Sequence, residues 1–589
     1  MCIKKSELQL NSMNAKSVLL CWPVVLAFII LFTACTRRVD QNFTEPRTPV
    51  AEQILTRIKA SSVGTEIRPS GESICERVAL TDFYARRLYH PAWSDNKGPT
   101  RLVDDLVKSL DRADLEGLRP GDYHLAAIKN LLAAIRSDIQ DSLVVAPDQL
   151  AELDLLLTDA FLMYGSHLLF GRVNPETINP KWIANQKTVD LASVLEATIT
   201  SGKLTNTLTT LAPTQLGFRR LREALVHYRE LASKGGWPTI PDGPTLKRGD
   251  YGSRVAALRE RLSFDGDLTA PNQGKAALFD DALVQALQQF QRRHGLNADG
   301  IMDAATRAEL NVSAERRVEQ LELNLERWRW LPQDLGRRYL LVNIPAFKLE
   351  VVEDEAFVLG MRIVVGTTKD TTPILNATVE YMFINPYWNV PRDMVLYEML
   401  PRIQHDSSYL ARQNFHVLTD SGGEDREVSP DIVNWSSITP NNFPYRLRQE
   451  PGPHNGMGRI KFIFPNKFDV YLHDTPGRHL FEQQQRTFSH GCIRIERPID
   501  LAVYLLRPDQ HWNRDVFLRE LEKKVPTSVV FPEKIPIYLV YWTAWADWDG
   551  TIQFRPDIYA WDALLSVAMR APLPTKEVVG TQRLGSHGG

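Results

Sequence analysis

The spacing of apolar positions changes its period along the chain, and each change marks a different kind of element. From about residue 74 to 234 the pattern is helical. Between Leu150 and Leu168, apolar residues recur at Leu153, Leu156, Leu157, Ala160, Phe161, Tyr164 and Leu168, which draws one wide stripe on a helix. "FYARRLYHPAW" (Phe83 to Trp93) and "FGRVNPETINPKW" (Phe170 to Trp182) end in proline and tryptophan and predict corners between helices. The whole of 71–235 therefore reads as a helical scaffold domain. "GGWPTIPDGPTLKRG" (235–249), with four glycines and three prolines, predicts a linker. A compact three-helix unit follows, 245–312. Its first helix carries Val255, Leu258 and Leu262 on one face. Phe279 and Asp280 open the second, through Leu283, Ala286, Leu287 and Phe290; Gly295 closes it, and Thr306 begins the third. "VEQLELNLERWRWL" aligns Leu321, Leu325 and Trp328 and makes 313–337 a connecting helix.

Beyond it the period falls to two. In "FVLGMRIVVG", Phe357, Leu359, Met361, Ile363 and Val365 alternate with the other face of a strand. "RRYLLVNIPAFKLEVVE", "TVEYMFINPYWNVP", "IKFIFPNKFDVYLHD" and "IPIYLVYWTAWAD" are strand-like too. The expectation for 338–565 is a mostly-β domain, with a helix at "PIDLAVYLLR" and a long polar excursion at about 396–458. An excursion of that length inside a compact domain is more often a functional lid than a plain connection. Residues 36–70 show no sustained period and read as a tether; 566–589 reads as a flexible tail. The predicted fold class is multidomain α + β.

The N-terminus has the order of an export signal. Lys4, Lys5 and Lys16 precede an apolar run, Val18 to Ala34, which Pro23 interrupts, and Arg37 and Arg38 follow. The run is short of the roughly 20 residues of a spanning helix, and "LFTAC" before Cys35 resembles a lipoprotein processing site. Lipid attachment at Cys35, ordinary cleavage and an uncleaved anchor within 1–35 all put the body of the protein outside the cytoplasmic membrane, in the periplasm or cell envelope.

At 589 residues, 43% hydrophobic and 24% charged, the chain has material for three or four cores. Lys and Arg total 69 against 71 Asp and Glu, a net charge of −2, so bulk charge gives no reason to expect a nucleic-acid partner. The five cysteines are Cys2, Cys21, Cys35, Cys75 and Cys492. They form no disulfide framework and no zinc-knuckle spacing. Cys75, in "ESICERVAL", sits in plain helix.

Cys492 stands in "FSHGCIRIERP". A thiol becomes a nucleophile as its thiolate, favoured by a nearby imidazole or by amides aimed at the sulfur. Gly491 allows a tight turn that exposes amide hydrogens for a tetrahedral oxyanion. His490 adjoins the cysteine, and adjacent side chains on a strand point to opposite faces. His473, nineteen positions upstream in "KFDVYLHD", can face the sulfur from a neighbouring strand, oriented by a carbonyl or carboxylate at Asp474.

"VYLHDTP" followed by "SHGCIRI" is similar to the signature of the L,D-transpeptidases. The three-helix unit resembles a peptidoglycan-binding domain on "LKRGDYGSRV", "ALQQFQRRHGL" and "DGIMDAATRAEL". With "NPYWNVP", the long insertion and "TAWADWDGTIQFRPDIY", the chain resembles the large YcbB-type enzymes of Gram-negative bacteria, whose catalytic domain is of the YkuD type. The resemblance implies Cys492 as nucleophile and His473 as its base. It implies that Ser489, His490 and Gly491 shape the site and oxyanion hole, and that Arg494 holds the cysteine loop or a substrate carboxylate. Tyr387, Trp388 and Asn389 of "NPYWNVP" are expected on the cleft wall. No metal and no cofactor are implied. The implied partners are peptidoglycan tetrapeptide stems, as donor and acceptor, with wall glycan held through 245–312 and the membrane through the N-terminal segment. The implied reaction is a 3→3 crosslink between diaminopimelate residues, made through a cysteine thioester with loss of D-alanine; the lid would exclude water. Three alternatives stand beside it: hydrolysis of the same thioester, zinc ligation by His473, His490 and Cys492, and a wall-binding scaffold without catalysis.

Overall fold

The computed structural model describes residues 48–573, apart from 62–67, 96, 185–187, 269–275, 407 and 420–425. The expected export segment, with Cys2, Cys21 and Cys35, and the end of the expected tail lie outside the described residues.

The expected tether at 36–70 contains a helix instead, α1 (Pro49–Ser61). Ala51, Ile54, Leu55 and Ile58 are buried at helical spacing, a stripe too short to stand out among polar neighbours. The hub of the scaffold is α2 (Pro147–Phe170), nearly all of it buried. It is the one described helix long and apolar enough to cross a membrane, and it lies inside the scaffold core. Its buried polar residues are all engaged. Asp154 accepts the N–H groups of Ala92 (2.8 Å) and Trp93 (2.9 Å) and the Tyr84 hydroxyl (2.7 Å). Asp159 accepts those of Cys75 (3.0 Å) and Glu76 (2.7 Å), where the next helix begins.

The three-helix unit consists of α3 (Ser253–Phe264), α4 (Asp281–Arg293) and α5 (Ala304–Leu310), packed on Val255, Leu258, Leu262, Leu283, Leu287 and Phe290. Asp280 caps α4 by accepting Leu283 N–H (3.0 Å), and Asp303 caps α5 by accepting Thr306 N–H (2.8 Å). Gly295 ends α4 at φ +69°, and a side chain there would strike Arg555, which donates to the Arg293 carbonyl (2.9 Å).

Helix α6 (Ala314–Arg329) has apolar residues on two sides. Leu321, Leu325 and Trp328 join the scaffold core, whereas Leu323 joins the β-domain core. Trp328 stacks on Trp542 of the β-domain, centroids 4.2 Å apart.

The β-domain is a sheet of β1 (Arg338–Asn343), β2 (Lys348–Glu353), β3 (Ala356–Gly366), β4 (Leu375–Ile384), β5 (Ile460–Ile463), β6 (Leu472–His473), β7 (Thr487–Ser489), β8 (Ile493–Ile495) and β9 (Thr527–Val540). Their order is β7-β3-β8-β6-β5-β4-β9-β1-β2, and β2 also pairs with β3, so the sheet returns on itself. Pairs β6–β8, β9–β1 and β7–β3 are parallel, the others antiparallel. The expected polar excursion is a folded unit between β4 and β5. It has its own core, including Val395, Leu396, Met399, Leu400, Ile403 and Leu447, and a small antiparallel sheet that begins at Trp388. The start of the expected tail is helical instead: the helix Trp561–Arg570 buries Leu565 and Met569.

Candidate active site

Strands β5, β6 and β8 align Lys461, His473 and Arg494 in one register row, with Phe383 of β4 beyond Lys461 and Val364 of β3 beyond Arg494. Strand alternation turns the neighbouring row, Met382, Phe462, Leu472 and Ile493, into the core, where each is fully buried. Cys492 enters β8 two residues before Arg494 and shares its face, as Tyr471 shares that of His473. Cys492 and His473 are thus diagonal neighbours on adjacent strands.

The glycine before the cysteine takes φ +109°, a conformation open to glycine at little strain. The turn is braced on two sides. Ser489 Oγ donates to the Cys492 carbonyl (2.5 Å) and accepts Gly491 N–H (3.2 Å). Thr372 Oγ1 donates to the Gly491 carbonyl (2.8 Å) and accepts Gly366 N–H (2.9 Å). Tyr559 donates to the Gly366 carbonyl (2.6 Å), which ties the end of β3 to the loop before the last helix.

The Cys492 sulfur lies 3.8 Å from the Asp469 carbonyl and accepts from the Tyr471 backbone N–H and hydroxyl. Burial pushes the thiol up; the two Tyr471 donors, Lys461 and Arg494 act against it. His473 Nδ1 donates to the Asp474 carbonyl (2.6 Å), and the Met457 backbone carbonyl adds a weaker pull in the same sense. A carbonyl has no proton to give, so in the neutral ring Nδ1 carries the hydrogen and Nε2 the lone pair. Burial first, then the Arg494 charge, brings His473 down to about 3. The resting pair is a neutral thiol and a neutral imidazole, and no hydrogen bond joins them among the described residues. The Asp474 carboxylate is otherwise engaged, accepting Arg459 N–H (2.9 Å) and facing Arg478 (3.4 Å).

Residues 337–525 match the family model "L,D-transpeptidase catalytic domain" (YkuD), 251–310 match "Putative peptidoglycan binding domain" and 78–225 match "Scaffold domain". The chain carries a YkuD L,D-transpeptidase catalytic domain. A curated relative from Haemophilus influenzae, "Putative L,D-transpeptidase", is 34% identical over 251 residues, 43% of this chain and 50% of the relative. The chain thus spans about half the length of the curated relative it matches. Among solved structures, an L,D-transpeptidase from Xylanimonas cellulosilytica is 16% identical over 51% of this chain and 98% of its own, at a TM-score of 0.17. One from Mycobacterium smegmatis is 13% identical over 34% and 58%, also at 0.17. Superpositions that low support no assignment of residues.

Of the remaining expected residues, His490, Tyr387, Trp388 and Asn389 fall outside this cluster. His490 points to the insertion, its Nε2 2.6 Å from Glu398 Oε1. Trp388 and Asn389 pair with Gln449 and Arg448 at the root of the insertion, and Arg448 lies over the Tyr387 ring (4.7 Å). Among the described residues, no hydrogen bond, ring contact or strand pairing links these three to Cys492 or His473. Arg494 makes no hydrogen bond to the cysteine loop, and its Nε is buried without a partner. Gly491 N–H is taken by Ser489, whereas Cys492 N–H donates to no described group. Sequence reasoning passed over Lys461, Tyr471, Thr372, Tyr559 and Glu398. Lys461 did leave a signal, as the one charge at an alternating position of the apolar run "IKFIF".

Proposed function

We propose that the protein is an L,D-transpeptidase that forms 3→3 crosslinks in peptidoglycan, with Cys492 as nucleophile and His473 as base. The observation that carries this reading is the shared sheet face: a cysteine on a braced glycine turn, with an imidazole fixed in the tautomer that leaves Nε2 basic. Rotation about the Cα–Cβ bond of Cys492 exchanges the Tyr471 contacts for the His473 ring. The sulfur attacks the carbonyl of diaminopimelate at its L-centre, and the thiol proton passes through His473 to the departing D-alanine amine. The peptide C–N bond breaks and a thioester forms. The amine of a second stem attacks the thioester, loses its proton to His473 and releases the thiol. Cys492 N–H is the available donor for the oxyanion in both halves.

In this reading the insertion, seated on the site through Glu398 and His490, limits the water that would hydrolyse the thioester. The three-helix unit holds the wall, and the protein works in the cell envelope, tethered by its N-terminal segment. Incubation with a disaccharide-tetrapeptide tests the first half. Intact mass should show an adduct short of one alanine, absent in Cys492→Ala. Digests should then contain dimers joined through two diaminopimelates. An adduct that decays only to free tripeptide would favour the hydrolase.

A further inference from the structure

Two cations on the reacting face have no carboxylate partner in contact among the described residues. Lys461 and Arg494 flank His473 in its register row, each one strand away, or about 4.8 Å by strand spacing. Among the described residues, no carboxylate oxygen lies within 4.0 Å of either head group. Three other arginines of the same domain are paired with carboxylates: Arg459 with Glu522 (3.0 Å), Arg362 with Glu496 (2.6 Å) and Arg497 with Asp500 (2.6 Å); Arg486 instead spends its donors on the Ile363 and Gln483 carbonyls, which Lys461 and Arg494 do not do among the described residues. Lys461 rests its ammonium on the Tyr471 ring, 3.6 Å from the centroid, and Asp469 attracts it only from farther away. The buried Nε of Arg494 has no acceptor. Half-buried charge without an answering group is costly to hold. A reactive surface can hold it when the answering charge arrives with the substrate.

We propose that Lys461 and Arg494 form a carboxylate subsite beside Cys492 that receives the free carboxylate of the D-residue leaving the donor stem. The inference rests on the proposed transpeptidase reading and gives it a source of specificity. In a stem ending in D-alanine, only nitrogen and one carbon separate the attacked carbonyl from the terminal carboxylate. Arg494 lies two residues from Cys492 on the same face, Lys461 two strands over in the same row, and both act on the sulfur. The acceptor fits the same place. Its attacking amine sits on the D-centre of diaminopimelate, which carries its own carboxylate on the adjacent carbon. Leaving and entering groups thus share one chemistry, an α-amino carboxylate of D configuration, and the second half-reaction retraces the first. Burial is the main reason the His473 ring resists a proton, and the Arg494 and Lys461 charges add to it; a docked carboxylate offsets that added part, so the base strengthens when the right group is bound.

The test uses the full chain and two alkylating probes, iodoacetate and iodoacetamide, with labelling at Cys492 followed by peptide mass. Both probes respond alike to thiolate content and to fold, so their rate ratio isolates anion recruitment. Relative to a small free thiol, the iodoacetate-to-iodoacetamide ratio should be raised several-fold in the native protein. It should fall at least threefold in Lys461→Met and return in Lys461→Arg. With stems, the native enzyme should prefer a terminal carboxylate over a terminal carboxamide by at least tenfold in kcat/KM, and Lys461→Met should erase most of that preference. Acylation by stems with an unchanged probe ratio in Lys461→Met would overturn the subsite and leave the transpeptidase standing. A Lys461-dependent ratio without any stem adduct would do the reverse.

Discussion

Thr372 offers a direct test of how the cysteine is held. Its side chain is fully buried and makes two hydrogen bonds, to the Gly491 carbonyl (2.8 Å) and from Gly366 N–H (2.9 Å). Thr372→Val keeps the shape and removes both. Each buried backbone group left without a partner costs about 1–3 kcal/mol. Relief from burying a hydroxyl returns roughly 1 kcal/mol, so the net loss is about 3 kcal/mol. The protein can meet that loss in two ways. If the loop stays, the transition of the β-domain in urea moves to lower denaturant by that amount. If the Gly491 carbonyl swings out to water, Cys492 moves with it, and a displacement near 1 Å is worth about 100-fold in rate. Thr372→Ser is the control: it keeps the hydroxyl and loses one methyl group, about 1 kcal/mol. The assays are urea unfolding and the rate of Cys492 acylation by a tetrapeptide stem, read by intact mass. Thr372→Val with native stability and native acylation would refute the claim that this hydroxyl sets the cysteine loop.

Other contacts give smaller or more local outcomes. Glu398→Gln removes the charge from a half-exposed pair with His490 worth about 0.5–1 kcal/mol; the ratio of crosslinked to hydrolysed product should fall about two- to fivefold while acylation stays near native. Asp154→Ala strips the Ala92 and Trp93 N–H groups of their acceptor inside the scaffold, while the Tyr84 hydroxyl keeps Thr158 and the main-chain carbonyl of residue 154, so the scaffold should lose about 2–6 kcal/mol in urea unfolding. His167 is buried, and burial followed by the charges of Arg172 and Arg329 lowers it to about 3. Its folded value lies below its unfolded value, so the neutral ring contributes full stability above about pH 6.5 and loses it as pH falls toward 3. Between pH 7 and pH 5 the native protein should lose about 2 kcal/mol more than His167→Gln, measured by urea unfolding at both values.

What the sequence disclosed follows the range of the interactions involved. The period-two run through Phe357 to Val365 became β3, and the caps at Asp280, Asp303 and Gly295 became helix ends, because each depends on residues a few positions apart. His473 and Cys492 could be paired in advance because one strand step separates β6 from β8 and alternation gives their faces. Thr372 and Tyr559 could not. They act on the cysteine turn and on Gly366 from 119 and 193 residues away, and nothing local marks a threonine or tyrosine as a brace. The insertion was read as polar because its apolar residues are spread over short helices and strands, each too brief to set a period. Charge misleads in the same way on α6: Glu326 and Arg329 are both fully buried in a segment that reads as half solvent-facing. Glu326 accepts Val173 N–H (3.0 Å), and Arg329 donates to the Glu116 carbonyl (2.5 Å).

Those buried charges bear on how the whole chain delivers substrate. Helix α6 is fixed to the scaffold by Glu326, Arg329 and the Phe218–Trp328 contact, and to the β-domain by the Trp328–Trp542 stack. Asn324 adds a hydrogen-bonded link, donating to Thr543 Oγ1 (2.8 Å) and accepting its N–H (3.0 Å). The three-helix unit is held to the same region: His294 stacks on Phe554 (5.4 Å) and Arg555 donates to the Arg293 carbonyl (2.9 Å). These contacts are buried, and apart from the neutral Asn324–Thr543 link they are aromatic or charge-assisted, the kind that gives way only when its surroundings open. A surface carried on the three-helix unit therefore keeps its bearing on the Cys492 face while the insertion, held across half-exposed Glu398 and His490, is the part with the weakest hold. If the protein acts as proposed, motion that admits a stem should then be confined to the insertion, with the three-helix unit serving as a fixed point rather than a swinging arm.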